Sequence, residues 1–169
     1  MNNRQEVLDR FIKHVVSQAK KNLTTSGKNA SKKLYNSIQG EAKAFPNSIG
    51  IYFDMEDYGF FQDKGVSGIK KKYNTPFSYK TKMPPPSAFD KWTIRRGIAP
   101  RSTKGQFQTR KGLNFAIARS IFEKGIKPSL FFTKPFEAAY KNLPDELIDK
   151  YGLEVIELFD SIMKPNFKK

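Results

Sequence analysis

Between Lys64 and Lys111 the chain carries thirteen Lys or Arg and a single acid, Asp90, so this stretch alone holds a net charge of +12. The cations are Lys64, Lys70, Lys71, Lys72, Lys80, Lys82, Lys91, Arg95, Arg96, Arg101, Lys104, Arg110 and Lys111. Glycine and proline punctuate the stretch, with a stop at Pro84-Pro85-Pro86. Residues 66–86 therefore read as one long basic connection and 98–112 as a second, and connections of this length inside a compact domain are usually functional or disordered. Between them Ser87 to Arg96 fits a helix capped by Ser87 and ended by Gly97, with Phe89, Trp92 and Ile94 turned inward. The C-terminal part has the opposite sign: from Lys134 to Met163 there are seven acids and three bases, a net −4. Opposed ends suit the stacking of unlike surfaces, or self-association that leaves the basic side for DNA.

The flanks supply regular structure. Asn3 followed by Glu6 resembles a capping box, and Leu8, Phe11, Ile12, Val15, Ala19 and Leu23 recur at helical spacing, which predicts a helix over about 4–23. After a turn at Thr24 to Asn29, the stretches Leu34 to Lys43 and Ser48 to Met55 carry alternating, β-branched or aromatic residues around Phe45-Pro46-Asn47, and read as a β-hairpin. Tyr58 to Phe61 continues a strand or opens a short helix, ended by Gly65. Leu113 to Lys124 has a broad apolar arc with Gly125 where a helix C′ glycine belongs, and is expected to be the most buried helix. Lys127 to Thr133 reads as extended, Pro135 opens a short helix to about Asn142, and Pro144 starts a longer one to about Met163.

In that last helix (144–163) Ile148, Tyr151, Val155, Leu158 and Ile162 form one apolar seam, with Gly152, Ile156, Phe159 and Met163 beside it. Both seams face the domain's own core, or one is given to a neighbouring subunit through Ile156, Phe159 and Met163. The expected organisation is a single domain over 1–163 with a basic tail, 164–169.

A chain of 169 residues with no Cys has no disulfide, zinc thiolate or cysteine nucleophile, and is long enough to bury a core without them. No apolar run is long enough to span a bilayer and no secretory signal is visible, so the expectation is a soluble protein with no membrane partner. The whole chain carries +15, which favours an acidic partner, nucleic acid before an acidic protein surface.

Catalytic patterns are sparse. The lone histidine, His14, lies on an amphipathic helix without a spaced ligand partner, and no glycine-rich phosphate loop occurs. Asp54, Glu56, Asp57 and Asp63 form the one acidic cluster, and Glu41-Ala42-Lys43 supplies an E-x-K on a predicted strand. That is the material of a Mg²⁺-dependent nuclease, but in the wrong order, since only Asp9, in a helix, precedes the E-x-K. No cofactor, metal or catalytic residue is expected. Aromatics interleave with the basic segment (Tyr73, Phe77, Tyr79, Trp92, Phe107), as in single-strand stacking platforms, though core or loop anchoring suits Phe77 and Trp92 better. No recognition helix or zinc finger is present to read a sequence.

Taken in order, Tyr58-Gly59-Phe60-Phe61-Gln62-Asp63-Lys64-Gly65, then Pro86-Ser87-Ala88-Phe89 leading to Trp92-Thr93-Ile94-Arg95-Arg96-Gly97, then Ile117-Ala118-Arg119-Ser120-Ile121 running into Gly125-Ile126-Lys127-Pro128 and Phe131-Phe132, resemble a known pattern. It is that of the neck and tail-completion proteins of tailed bacteriophages, small head–tail joining proteins. The resemblance covers about half of the chain, Tyr58 to Tyr140, and departs from the pattern in the enlarged basic loop at 66–86 and the acidic helix after Pro144. It implies an α+β fold, a small curved antiparallel sheet flanked by helices, here with a long basic loop and a C-terminal helix. It also implies a non-enzymatic virion protein, assembled in the host cytoplasm, forming a ring of twelve copies in preference to six around the DNA exit channel. Its partners would be further copies of itself, the portal, other neck or tail rings, and the backbone of genomic double-stranded DNA. Asp63, Gly65, Trp92, Gly125, Pro128 and Phe131 would hold structural motif positions. Contact to DNA or to a partner ring would fall to Lys64, Lys70, Lys71, Lys72, Lys80, Lys82, Arg95, Arg96, Arg101, Lys104, Arg110 and Lys111. A nonspecific DNA-binding module is the alternative, and the nuclease the next.

Overall fold

A computed structural model describes residues 3–44, 49–102 and 104–143. The predicted helix 144–163, with Ile156, Phe159 and Met163, lies outside the described residues, as do the 164–169 tail and Phe45-Pro46-Asn47. The described fold is mixed α+β. In chain order it comprises α1 (Asn3–Thr25), α2 (Lys33–Ser37), β1 (Gln39–Ala44), β2 (Ile49–Asp54), α3 (Tyr58–Lys64) and β3 (Val66–Ser67). A 3₁₀ turn (Pro86–Phe89), α4 (Asp90–Arg95), α5 (Arg110–Lys124), β4 (Gly125–Ile126) and α6 (Thr133–Tyr140) follow. The strands make two small antiparallel sheets, β1 with β2 and β3 with β4. The described residues group into two compact units: one takes those up to Asn29, Lys33–Asp63 and those from Leu130, the other Ala30–Lys32 and Lys64–Ser129.

The first unit is built on the α1 stripe. Leu8, Phe11, Ile12, Val15, Ala19 and Leu23 are all buried, as their helical spacing requires. The hairpin lies against this stripe in a register running from Gln39↔Asp54 to Ala44↔Ile49. Strand alternation sends Ile51 and Phe53 inward and leaves Tyr52 exposed. α6 closes the core with Phe132, Phe136 and Tyr140. Phe53 meets Phe132 edge-on at 5.1 Å between centroids and Phe136 at 6.0 Å, while Phe11 meets Phe136 at 5.7 Å. Each buried ring contributes about 1.5–3 kcal/mol through burial and each edge contact about 0.5–1.5 more, so this aromatic cluster outweighs any surface ion pair in the unit.

One predicted boundary moves. Leu34 to Ile38 does not belong to the first strand, because α2 forms there and β1 begins at Gln39. Leu34 and Ile38 are four residues apart and both buried, a helical spacing. The turn is locked by Ser37, whose hydroxyl donates to the Leu34 carbonyl and accepts from the Glu56 amide.

In the second unit α5 is capped by the Thr109 hydroxyl, which accepts from the Gly112 amide at 3.1 Å, and ends on Gly125. Of the helix's side chains only Asn114 and Ala118 are buried, so α5 is not the most buried helix; α1 and α6 are more deeply covered. Within the unit α5 meets a four-residue 3₁₀ turn, the six-residue α4, the two-residue β4, the Tyr79 ring and the backbone of residues 69–71, too little surface to cover a broad apolar arc. Phe115 is consequently half exposed.

The helix predicted over Ser87 to Arg96 is also corrected. It splits into the 3₁₀ turn and α4, and Ser87 caps nothing. Its inward residue is Thr93, while Trp92 and Ile94 stand exposed. A polar contact sets this rotation: Thr93 lies against buried Asn114, and the Asn114 amide donates in turn to the Asp90 carboxylate. Trp92 therefore anchors no core, contrary to its expected structural role.

Candidate macromolecule-binding surface

The basic segment lies wholly in the second unit and is more ordered than a long connection suggests. Ser67, almost fully buried, pins its first part. Its hydroxyl accepts from the Tyr73 amide at 2.9 Å and donates to the Tyr73 carbonyl, while its backbone bonds Phe77 and Tyr79. The Lys70-Lys71-Lys72 run thereby becomes a short excursion laid over the C-terminus of α5. There the amides of Ile69, Lys70 and Lys71 donate to the carbonyls of Phe122 and Glu123, groups that the helix itself leaves without partners. Cations at a helix C-terminus also meet the negative end of its dipole.

Charge is only locally compensated. Lys70 Nζ reaches Glu123 at 2.9 Å, and Arg119 meets the same carboxylate at 3.2 Å. These two cations, Lys70 first, hold the Glu123 carboxyl below its ordinary value of 4.5. Asp90, the segment's single acid, is engaged by Asn114 and forms no ion pair among the described residues. Arg110 donates to the Thr93 hydroxyl. Lys71 lies over the Tyr73 ring and Arg101 over the Phe107 ring, at 4.5 Å from its centroid. Lys72, Lys80, Lys82, Arg95, Arg96, Lys104 and Lys111 are exposed, and Lys64 is half-buried at the end of α3. α5 begins with Arg110 and Lys111 and has no acid in its first turn. Two cations at the positive end of a helix dipole lower its stability, a cost that the Arg110–Thr93 hydrogen bond offsets for Arg110 and that no contact among the described residues offsets for Lys111.

The motif residues play two separate parts. Asp63, fully buried, accepts from the amides of Phe132 at 2.8 Å and Thr133 at 3.2 Å and from the Thr133 hydroxyl, so it caps the start of α6 from 69 residues upstream. Phe131, also buried, receives the Asn22 amide on its carbonyl. In the second unit Gly65 and Gly125 have φ of +75° and +74°. A Cβ at Gly65 would sit 2.5 Å from the Ile126 carbonyl and 2.6 Å from Pro128, and one at Gly125 only 2.1 Å from the Val66 carbonyl. The β3–β4 pairing of Val66↔Ile126 and Ser67↔Gly125 needs both glycines.

The acidic cluster does not assemble. Asp63 is committed to α6, and Glu56 pairs with Lys33 at 3.0 Å. On β1 Glu41 and Lys43 pair with each other at 2.7 Å, both exposed, and this contact raises the Lys43 pKa. Among the described residues no group of three or more His, Cys, Asp or Glu is placed to hold a metal ion, and no helix is long and apolar enough to cross a membrane. His14 is exposed on α1 beside a shallow groove lined by Val7, Phe11, Ala139 and Leu143.

Sequence reasoning missed three functional placements. The Asp63 cap joins residues far apart and has no local signal beyond the motif that contains it. The Thr93–Asn114 contact is a polar pair inside what looked like two apolar faces. Glu123 as the counter-charge of Lys70 is a pairing across 53 residues. Comparison with family profiles, with characterised proteins and with solved structures finds no match to this chain.

Proposed function

We propose that the chain is a structural subunit of a tailed-bacteriophage virion, a ring-forming head–tail connector of the neck or tail-completion kind, placed between portal and tail around the DNA exit channel. The observation that carries this reading is the use made of the motif residues. Asp63 from the aromatic-rich turn caps the α6 start at Phe132 and Thr133, and Gly65 from the same turn closes on Ile126 and Pro128. Two short stretches that the resemblance joins only by their order thus meet in each unit. The cationic surface adds support, since its charge is only locally compensated, at Glu123, and suits a negatively charged partner. Twelve copies in a ring are favoured over six.

The exposed cations of the basic segment also favour a second reading, a monomeric or dimeric module that binds DNA through its backbone. Measuring the mass of the purified chain, alone and mixed with portal protein, separates the two. A connector gives a discrete species at six or twelve times the 19.4 kDa chain, in solution or on the portal. A protein that stays monomeric or dimeric in both settings while binding duplex DNA is the module instead.

A further inference from the structure

Among the large apolar side chains exposed on the second unit are three carried by α4 and α5: Ile94 is 61% exposed, Phe115 50% and Trp92 39%. All three follow or flank the residues of one contact between α4 and α5. Trp92 and Ile94 flank Thr93 on α4, Phe115 follows Asn114 on α5, and Thr93 and Asn114 touch at 3.4 Å. Arg95 adjoins Ile94, and Lys111 lies one turn before Phe115 on α5, so the apolar group is edged by positive charge. A duplex backbone offers phosphates, which reward the cations and leave an exposed isoleucine and phenylalanine with nothing to bury against. An apolar centre containing Trp and edged by Arg and Lys has instead the composition of a protein-binding patch. Its occupant should be acidic outside and apolar along one seam.

This chain contains such a segment. Residues 144–163 hold six acids and one base, and their apolar residues include Ile156, Phe159 and Met163 at helical spacing. We infer that the patch formed by Trp92, Ile94 and Phe115 with Arg95 and Lys111 receives residues 144–163 of a second copy of this chain. The inference rests on the ring reading above and deepens it, by naming what holds one copy to the next. Apolar side chains supply the contact, while Glu154, Glu157 and Asp160 opposite the cations fix its partner and orientation.

The test uses the full chain carrying Glu154→Lys, Glu157→Lys and Asp160→Lys, with a labelled peptide of residues 144–163 as probe. The peptide binds this chain, and adding Ile94→Glu, at an exposed position that circular dichroism will show to be folded, weakens binding at least tenfold. In a second arm, the acid-reversed chain and a chain with Arg95→Glu and Lys111→Glu each fail to assemble alone and assemble when mixed. The inference is overturned if the peptide does not bind, if Ile94→Glu leaves its binding unchanged, or if the acid-reversed chain still assembles alone. It is also overturned if Ile94→Glu weakens duplex DNA binding tenfold and spares the peptide, which makes the patch a nucleic-acid face. Rings of wild-type protein without peptide binding remove this inference alone, whereas peptide binding without rings removes only the connector reading.

Discussion

Asp63 shows how much can rest on one side chain. A buried carboxylate that accepts from two amides and a hydroxyl holds α6 in place, and hydrogen bonds to charged groups contribute about 1.5–3 kcal/mol each. Asp63→Ala strands those donors in the interior, so chemical denaturation should show a loss of about 3 kcal/mol or more, a large share of a domain's stability. A loss under about 1 kcal/mol would mean that the α6 start is held by the phenylalanine cluster alone. Glu123 makes a second residue-scale prediction. Its carboxyl is held below 4.5, first by Lys70 and then by Arg119, so the pair supports the native state above the ordinary carboxylate value and is lost as pH falls through the lowered one. NMR titration should find Glu123 below its ordinary value in the native chain and moved upward in Lys70→Met. An unchanged titration would show that the lysine run does not rest on α5 in solution.

Among the elements, α5 separates stability from function most cleanly. Lys111 is exposed, sits in the first turn and opposes the helix dipole. Lys111→Glu should therefore stabilise the chain, by about 0.3–1 kcal/mol, while weakening its hold on acidic partners. Thermal denaturation together with a binding assay checks both signs, and destabilisation would remove the argument that this cation is kept for binding. The elements also show what the sequence made legible. α1 was readable because a long 3.6-residue stripe has one solution, and the hairpin because period-2 alternation flanks a turn. The end of α5 was readable because Gly125 lies where φ is positive. α2 was missed because five residues are too few for periodicity to override a neighbouring strand pattern. For α4 and α5 the apolar residues were visible, but what covers them is decided by tertiary surface that no local window contains. There the buried positions went to Thr93 and Asn114, and the exposed Trp92, Ile94 and Phe115 read as inward-facing residues of amphipathic helices, Trp92 also as a stacking residue.

On the scale of the whole molecule the dominant quantity is charge. A +12 segment with one acid, and that acid engaged by Asn114, becomes a strong positive field when repeated around a ring. Binding to DNA is expected to be independent of sequence and to fall steeply with salt, by orders of magnitude between low and physiological ionic strength if about six or more phosphates are engaged. Reversing Lys70, Lys71 and Lys72 to Glu should lower both affinity and salt slope if this excursion faces the channel. If it faces a protein ring, the same variant should keep its DNA binding and fail to dock on the portal. Normal assembly with unchanged DNA affinity and slope would reduce the excursion to a solvated surface. All of these expectations depend on one claim, that the chain works as a repeated subunit. Its most direct test is the mass of the native protein in solution, alone and with portal protein added. The account predicts a discrete species six or twelve times the 19.4 kDa chain; a mass that stays at one or two chains under both conditions would contradict it.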